Sequence, residues 1–235
     1  MDRTDETKTA WTVAIDGPAG AGKSTVARKV AQRLGYTYID TGAMYRAVTW
    51  AVLQAGLAPG DEDAVARRAA DTEIQLQTDA AGVRVVVAGQ DVTDVIRGPE
   101  TSAAVSYVAA NPKVREHLVA LQRRMARQGG VVMDGRDIGT VVLPDADVKV
   151  FLTASAEERA RRRFEELKTA GHAESLEAIR RNIEQRDAID SGRSVAPLRK
   201  AKDAVEIDTT DRTIDEVVGA VLRLVRTKEG SRCTP

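Results

Sequence analysis

Nine residues, Gly17-Pro18-Ala19-Gly20-Ala21-Gly22-Lys23-Ser24-Thr25, constrain this chain more than any other stretch. They fit G-x-x-x-x-G-K-[ST] and lie between a strand-like run, Trp11 to Ile15, and a helix-like one, the context a phosphate-cradling loop requires. Glycines at 17, 20 and 22 allow successive N–H groups to turn inward around phosphate oxygens, and the following helix adds its positive end. Lys23 supplies a mobile point charge. Ser24 offers a hydroxyl where Mg²⁺ bridging a nucleotide's terminal phosphates would sit. A glycine-rich turn without a ligand is the plain alternative, and the strand-then-helix context argues against it.

Such a loop belongs to a parallel sheet, and the rest of the chain supplies one. Runs rich in β-branched residues recur at Thr12 to Ile15, Thr37 to Ile39, Val131 to Met133, Val148 to Leu152 and Val205 to Ile207. Helical patterns such as Pro112 to Arg127 and Thr213 to Val225 separate most of them, which predicts an α/β fold: a five-stranded parallel sheet flanked by helices. Helix one carries Val26, Ala27, Val30, Ala31 and Leu34 on one face and should end at Gly35. Ligands of such sheets bind beyond the carboxyl ends of the strands. Three polar sets stand there: Gly17 to Ser24, Asp40-Thr41-Gly42 and Asp134-Gly135-Arg136-Asp137.

The long passage between the second and third strands, Ala43 to Gly130, holds a hairpin-like piece, Glu73 to Gln77 and Val83 to Ala88, around Asp79-Ala80-Ala81-Gly82. Alternating Ile74, Leu76, Val83, Val85 and Val87 predict one buried face, hence an inserted lobe rather than a loose loop. A second passage, Ser155 to Pro197, is dense in arginine and glutamate, and Ser155-Ala156-Glu157-Glu158 has the form of a capping box. We therefore divide the chain into a core of residues 11–40, 117–154 and 198–227, a lobe of 41–116 with a β-rich insert at about 69–105, an Arg-rich helical lid of 155–197, and flexible tails, 1–10 and 228–235.

Charge and composition narrow the partners. Thirty-five basic residues balance thirty-five acidic ones, which argues against a nucleic-acid footprint, and two phenylalanines offer little for base stacking. No run of about 18 apolar residues is present to cross a bilayer. The polar, mixed-charge stretch Met1 to Thr9 lacks the apolar segment of a signal peptide, so a cytoplasmic protein is expected. Cys233, the lone cysteine, lies in the polar tail. No exposed apolar stripe asks for a partner, and a monomer is expected.

The arginines divide. Arg161 and Arg162 have i,i+4 glutamates and read as a solvated helix face, each pair worth about 0.2–0.5 kcal/mol. Arg159 and Arg163 share another face, and Arg186, Arg193 and Arg199 lie in a Gly- and Pro-punctuated region able to fold over an anion; their fork of donors suits phosphate. Asp134, at a strand end beside the loop, is placed to hold Mg²⁺ through water.

Several separated motifs make the chain resemble the bacterial cytidylate kinases from about Trp11 to Arg226: Ile15-Asp16-Gly17-Pro18, Asp40-Thr41-Gly42-Ala43-Met44-Tyr45-Arg46, Asn111-Pro112-Lys113-Val114-Arg115-Glu116, Asp134-Gly135-Arg136-Asp137-Ile138-Gly139-Thr140-Val141-Val142, and Arg186-Asp187 through Asp190 to Arg193 with Val195-Ala196-Pro197-Leu198. The resemblance implies a phosphate-loop nucleoside monophosphate kinase that uses ATP and Mg²⁺ to phosphorylate CMP and dCMP. It implies that Gly17 through Thr25, with Arg159 and Arg163, bind ATP, and that Lys23, Asp134, Arg136 and Arg186 serve the transfer. Ser106, Arg115 and Asp137 would read cytosine, and Thr41, Arg46, Arg136, Arg186, Asp190 and Arg193 would meet the acceptor's phosphate and ribose. Thr41 stands where the family has Ser; the hydroxyl is retained.

The base-reading set also makes chemical sense. Cytosine's amino group wants a carboxylate, and its N3 and O2 want donors such as a guanidinium and a hydroxyl. Two other activities remain open on residues alone: a kinase of this architecture for UMP or dTMP, and a GTP-binding switch, against which the absence of Asn-Lys-x-Asp speaks.

Overall fold

The computed structural model describes residues 10–79 and 82–232. Ala80 and Ala81 of the expected hairpin turn, the stretch 1–9 and Cys233 lie outside the described residues.

Five parallel strands in the order β2-β6-β1-β7-β8 form the main sheet: β1 Thr12–Asp16, β2 Thr37–Asp40, β6 Val131–Gly135, β7 Val148–Thr153 and β8 Val205–Asp208. These are the five runs expected from their β-branched residues. The central strand, β1, is buried along its whole length, as is β6, which is why both read as continuous apolar runs broken only at their ends. Helix α1 (Lys23–Leu34) and α8 (Ile214–Arg232) cover one face, where Val26, Val30, Val217 and Val221 meet Val13, Ile15 and Val150. Gly35 ends α1 with φ 67°, the left-handed position expected of it. Helix α8 continues to Arg232, into the expected tail 228–235, because helix formers such as Arg226 and Lys228 prolong the 3.6-residue pattern ending at Val225.

The passage after β2 builds its own core. Helices α2 (Thr41–Gln54), α3 (Glu62–Ala70), α4 (Pro99–Ala110) and α5 (Pro112–Ala126) bury Met44, Val48, Val65, Val108 and Leu118 together with Ile74, Val85 and Val87 from the strands β3 (Ile74–Asp79) and β4 (Gly82–Val87). A third short strand, β5 (Gln90–Asp91), completes an antiparallel sheet, and a 3₁₀ turn, Val95–Arg97, leads back to α4. Helices α6 (Ala156–Thr169) and α7 (Leu176–Gly192) pack as a hairpin around Ala160, Leu167, Ile179 and Ile183. Ser155 caps α6 by accepting from Glu158 N, but only half of the expected box forms: the Glu158 carboxylate turns away to Arg161 and Arg162, and Ser155 N donates instead to Thr210 Oγ1.

Where β1 enters the phosphate loop, Gly17 has φ 147°, and a Cβ there would lie 2.0 Å from the Leu152 carbonyl oxygen on β7. Gly17→Ala combines a disfavoured backbone angle with overpacking against rigid backbone, and should cost about 2–5 kcal/mol, read as a lower urea midpoint at unchanged slope.

Candidate active site

The three polar sets converge because β2, β6 and β1 are neighbours in one parallel sheet: Asp134 is in register with Ile15 on one side and Asp40 on the other. Their ends open into a cleft of about 740 Å³ whose walls come from the core, the inserted lobe and the helical hairpin.

At one end lies the phosphate loop. Gly22, φ 83°, is the N-cap of helix α1, whose first amides have no side-chain cap among the described residues and whose first turn has no acidic residue; Asp40, Asp61, Asn111, Ser155 and Ser175 cap α2, α3, α5, α6 and α7, while α4 after Gly98 also lacks a side-chain cap. Uncapped N–H groups at a glycine-rich helix start are what an anion uses. Lys23, 6% exposed, donates from Nζ to the Pro18 carbonyl at 2.7 Å across the loop. Burial, and then the nearby Arg136, push its amine down to about 7. Ser24 Oγ donates to Asp134 Oδ2 at 3.0 Å and Tyr38 Oη to Asp134 Oδ1 at 2.8 Å, while Thr41 Oγ1 donates to the Asp134 carbonyl at 2.6 Å. Desolvation, and then Asp40, raise the Asp134 carboxyl to about 7. Ala19, Gly20 and Thr25 line the same end, and Ala21 is fully buried beneath it.

The middle of the cleft is crowded with guanidinium groups. Arg46 reaches Ser102 Oγ at 2.9 Å, and burial, followed by Arg186 and Arg163, lowers its guanidinium to about 9. Arg186 falls to about 10 through burial and then Arg136, and its Nε is buried without a hydrogen-bond partner among the described residues. Arg136 donates from Nε to Asp190 Oδ2 at 2.9 Å; although burial works against Asp190's charge, Arg136 and Arg186 hold it below the usual carboxylate range. Burial is the first cause for Arg46 and Arg186 and neighbouring guanidinium groups add to it, an environment that an anionic ligand would relieve.

At the far end, Arg115 donates to Asp137 Oδ2 and to the Ala109 carbonyl, with its guanidinium 5.4 Å over the Tyr45 ring. Arg193 approaches Asp137 Oδ1 at 3.4 Å and donates from Nε to the Ala196 carbonyl. All three charged groups are buried. Ser106 Oγ and Tyr45 Oη face this end, buried and without hydrogen-bond partners among the described residues.

Two arginines expected at ATP have protein partners. Arg159 donates to the Ala154 and Ala19 carbonyls at 3.0 and 3.1 Å and pairs with Asp187 at 2.6 Å, so it ties α6, α7 and the phosphate loop together. Arg163 lines the cleft while donating to the Arg97 carbonyl at 2.9 Å. Arg161 is exposed and pairs with Glu158, one residue from its expected partner, while Arg162 shares that glutamate and also holds Thr209. Tyr38 and Tyr45, to which the sequence assigns no role, also border the site. Tyr38 lies in the run Thr37 to Ile39, where its aromatic ring passed for sheet packing.

The sequence model described as "Cytidylate kinase" matches residues 13–227. The chain is 56% identical over 218 residues to the cytidylate kinase of Geobacillus thermodenitrificans, covering 93% of this chain and 97% of that one. It is 52% identical over 223 residues to that of Geobacter sulfurreducens, covering 95% of each. Among solved structures, an uncharacterized protein from Eubacterium ventriosum matches with a TM-score of 0.50 at 12% identity, over 93% of this chain and 99% of that one, a likeness of fold alone.

Proposed function

The chain belongs to the cytidylate kinase family, and from that premise we propose that it transfers the γ-phosphoryl group of ATP to CMP, and to dCMP, releasing ADP and the diphosphate. The observation that carries this reading is the polarity of a single cleft. A phosphate loop occupies one end, a buried Arg115–Asp137 pair with an unpartnered Ser106 hydroxyl the other, and under-neutralised arginines lie between.

The loop amides and Lys23 hold the β- and γ-phosphates of ATP. Lys23 exchanges the Pro18 carbonyl for a phosphate oxygen, whose negative charge favours the charged amine. Arg46, Arg136 and Arg186 grip the acceptor's phosphate in line with the γ-phosphorus, and Arg163 closes over the phosphates from the hairpin. Asp190, by holding Arg136, sets its fork, and Arg193 with Thr41 lines the path from phosphate to base. Transfer of this kind asks little covalent work of a protein; alignment, neutralisation and exclusion of water supply the rate.

Mg²⁺ fits the donor set. Ser24 Oγ and the Asp134 carboxylate offer hard oxygens at the phosphate end, and no larger group of metal-binding side chains occurs among the described residues. When Mg²⁺ binds, Ser24 Oγ would hold it directly and the Asp134 carboxylate through water, with the nucleotide's phosphates supplying the rest. When bound, it neutralises charge on the transferring phosphates.

At the base end, Asp137 accepts from the cytosine amino group while Arg115 and Ser106 donate to its N3 and O2. Uracil would set a carbonyl against Asp137 with no proton between them, an unpaired buried contact costing about 1–3 kcal/mol or more. No described helix is long and apolar enough to cross a membrane; from its family and its balanced charge we read the protein as a cytoplasmic monomer acting on small molecules. An acceptor screen with MgATP tests the reading: CMP and dCMP should exceed UMP and dTMP by about 100-fold in kcat/KM. Equal use of UMP would overturn it.

A further inference from the structure

Asp16 takes no part in the site described above, yet its carboxylate, 4% exposed, stands at the junction of both ends. It is the last residue of β1, one position before Gly17. Oδ1 accepts from Ile138 N and Oδ2 from Gly139 N, each at 2.7 Å. Those amides open the one-turn π-helical segment Ile138–Val142 that follows Asp137 directly. Arg123 holds the other end of that turn by donating to the Val141 and Val142 carbonyls at 2.7 and 3.0 Å. A Cβ on Gly139 would lie 3.1 Å from Lys149 Cδ and 3.4 Å from Asp16 Oδ2, so the turn is wedged between the two side chains.

A carboxylate so deeply buried, with no ion-pair partner among the described residues although Lys23 favours its charge, is a costly way to end a strand. What the charge gives is two charge-assisted hydrogen bonds to successive amides, stronger and more directional than neutral ones. The backbone that carries Asp137 is thereby anchored to the neighbouring strand. Asp137 itself, at φ −143°, has no side-chain cap of its own on this turn.

We propose that Asp16 is a positioning residue of the phosphoryl transfer: by gripping the Ile138 and Gly139 amides it fixes the base-reading Asp137 relative to the phosphate loop that it precedes. The inference rests on the cleft being a CMP kinase site. One carboxylate then keeps the base at one end in register with the phosphates at the other.

Asp16→Asn preserves shape but turns a donor toward one of the two amides, and Gly139→Ala presses the same contact while leaving the carboxylate intact. Each is assayed for KM of CMP and of ATP and for the CMP-to-UMP ratio of kcat/KM. In Asp16→Asn the CMP KM should rise about 10-fold with the ATP KM within about 2-fold, and the CMP-to-UMP ratio should fall about 5-fold. Gly139→Ala should move the same quantities the same way by about 3-fold, and it carries the test alone should Asp16→Asn fail to fold. Equal rises for both nucleotides, a rise confined to ATP, or an unmoved CMP-to-UMP ratio would overturn the inference, leaving Asp16 a structural residue. A wild-type enzyme without preference for CMP would overturn the cleft reading and the inference together.

Discussion

Lys23→Met should lose at least about 1000-fold in kcat while the protein melts within about 2 °C of the parent. Both halves follow from one observation: the ammonium is buried and bonded to the Pro18 carbonyl of its own loop. In the folded protein without nucleotide, desolvation pushes the amine down to about 7, which makes the charge a burden rather than a support. Methionine fills nearly the same volume without a charge to desolvate, which offsets the hydrogen bond lost at the Pro18 carbonyl, so stability is nearly kept. The transition state gains most from that charge, because negative charge is drawn toward the leaving phosphate oxygens in a site closed to water. Single-turnover kinetics beside a thermal melt check the pair. Near-normal turnover removes the phosphate loop from the mechanism, and a large fall in melting temperature shows that Lys23 is chiefly structural.

What could be read from residues and what could not divides by distance along the chain. The phosphate loop is nine consecutive residues, so its strand, its turn and its helix were all visible locally. The five strands of the sheet were visible because a strand buried on both faces spells out its own apolar run, as Thr12 to Ile15 does. The inserted hairpin showed in the alternation of Ile74, Leu76, Val85 and Val87, which face the lobe's core. Strand β5 has only two residues, both exposed, and leaves no pattern to detect. Longer-range matters were hidden. Arg159 and Arg163 share a helical face, which suggested a common ligand, but that face meets Ala19 and Asp187 on one side and Arg97 on the other. Asp16 was quoted only as a motif letter. The signal it did carry was physical: a carboxylate closing a wholly buried strand must find donors somewhere, and they came from a turn 122 residues away.

Asp137→Ala should carry the second large effect, and it separates recognition from folding. Arg115 and Arg193 share Asp137 as their carboxylate, and the side chains of both arginines are 3% exposed. Removing it leaves two buried guanidinium groups facing each other, with Asp190 still acting on Arg193 but no carboxylate shared between them, which costs about 3–5 kcal/mol and about 10 °C in melting temperature. Arg193 already has its charge disfavoured by burial and by Arg115, so the loss of Asp137 worsens an existing strain. The CMP-to-UMP ratio of kcat/KM should fall at least about 10-fold, because the acceptor for the cytosine amino group is gone. Stability and recognition come apart in the pair Asp137→Ala with Arg115→Met. Relieving one of the stranded charges should return part of the melting temperature, whereas the ratio should stay low, since methionine donates nothing to the base. Asp137→Asn sharpens the point: an amide nitrogen can donate to the uracil carbonyl that repels a carboxylate, so UMP should gain absolutely while CMP declines. A ratio unchanged across these variants, measured on folded protein, would mean that the buried ion pair holds the lobe together and that the base is read elsewhere in the cleft.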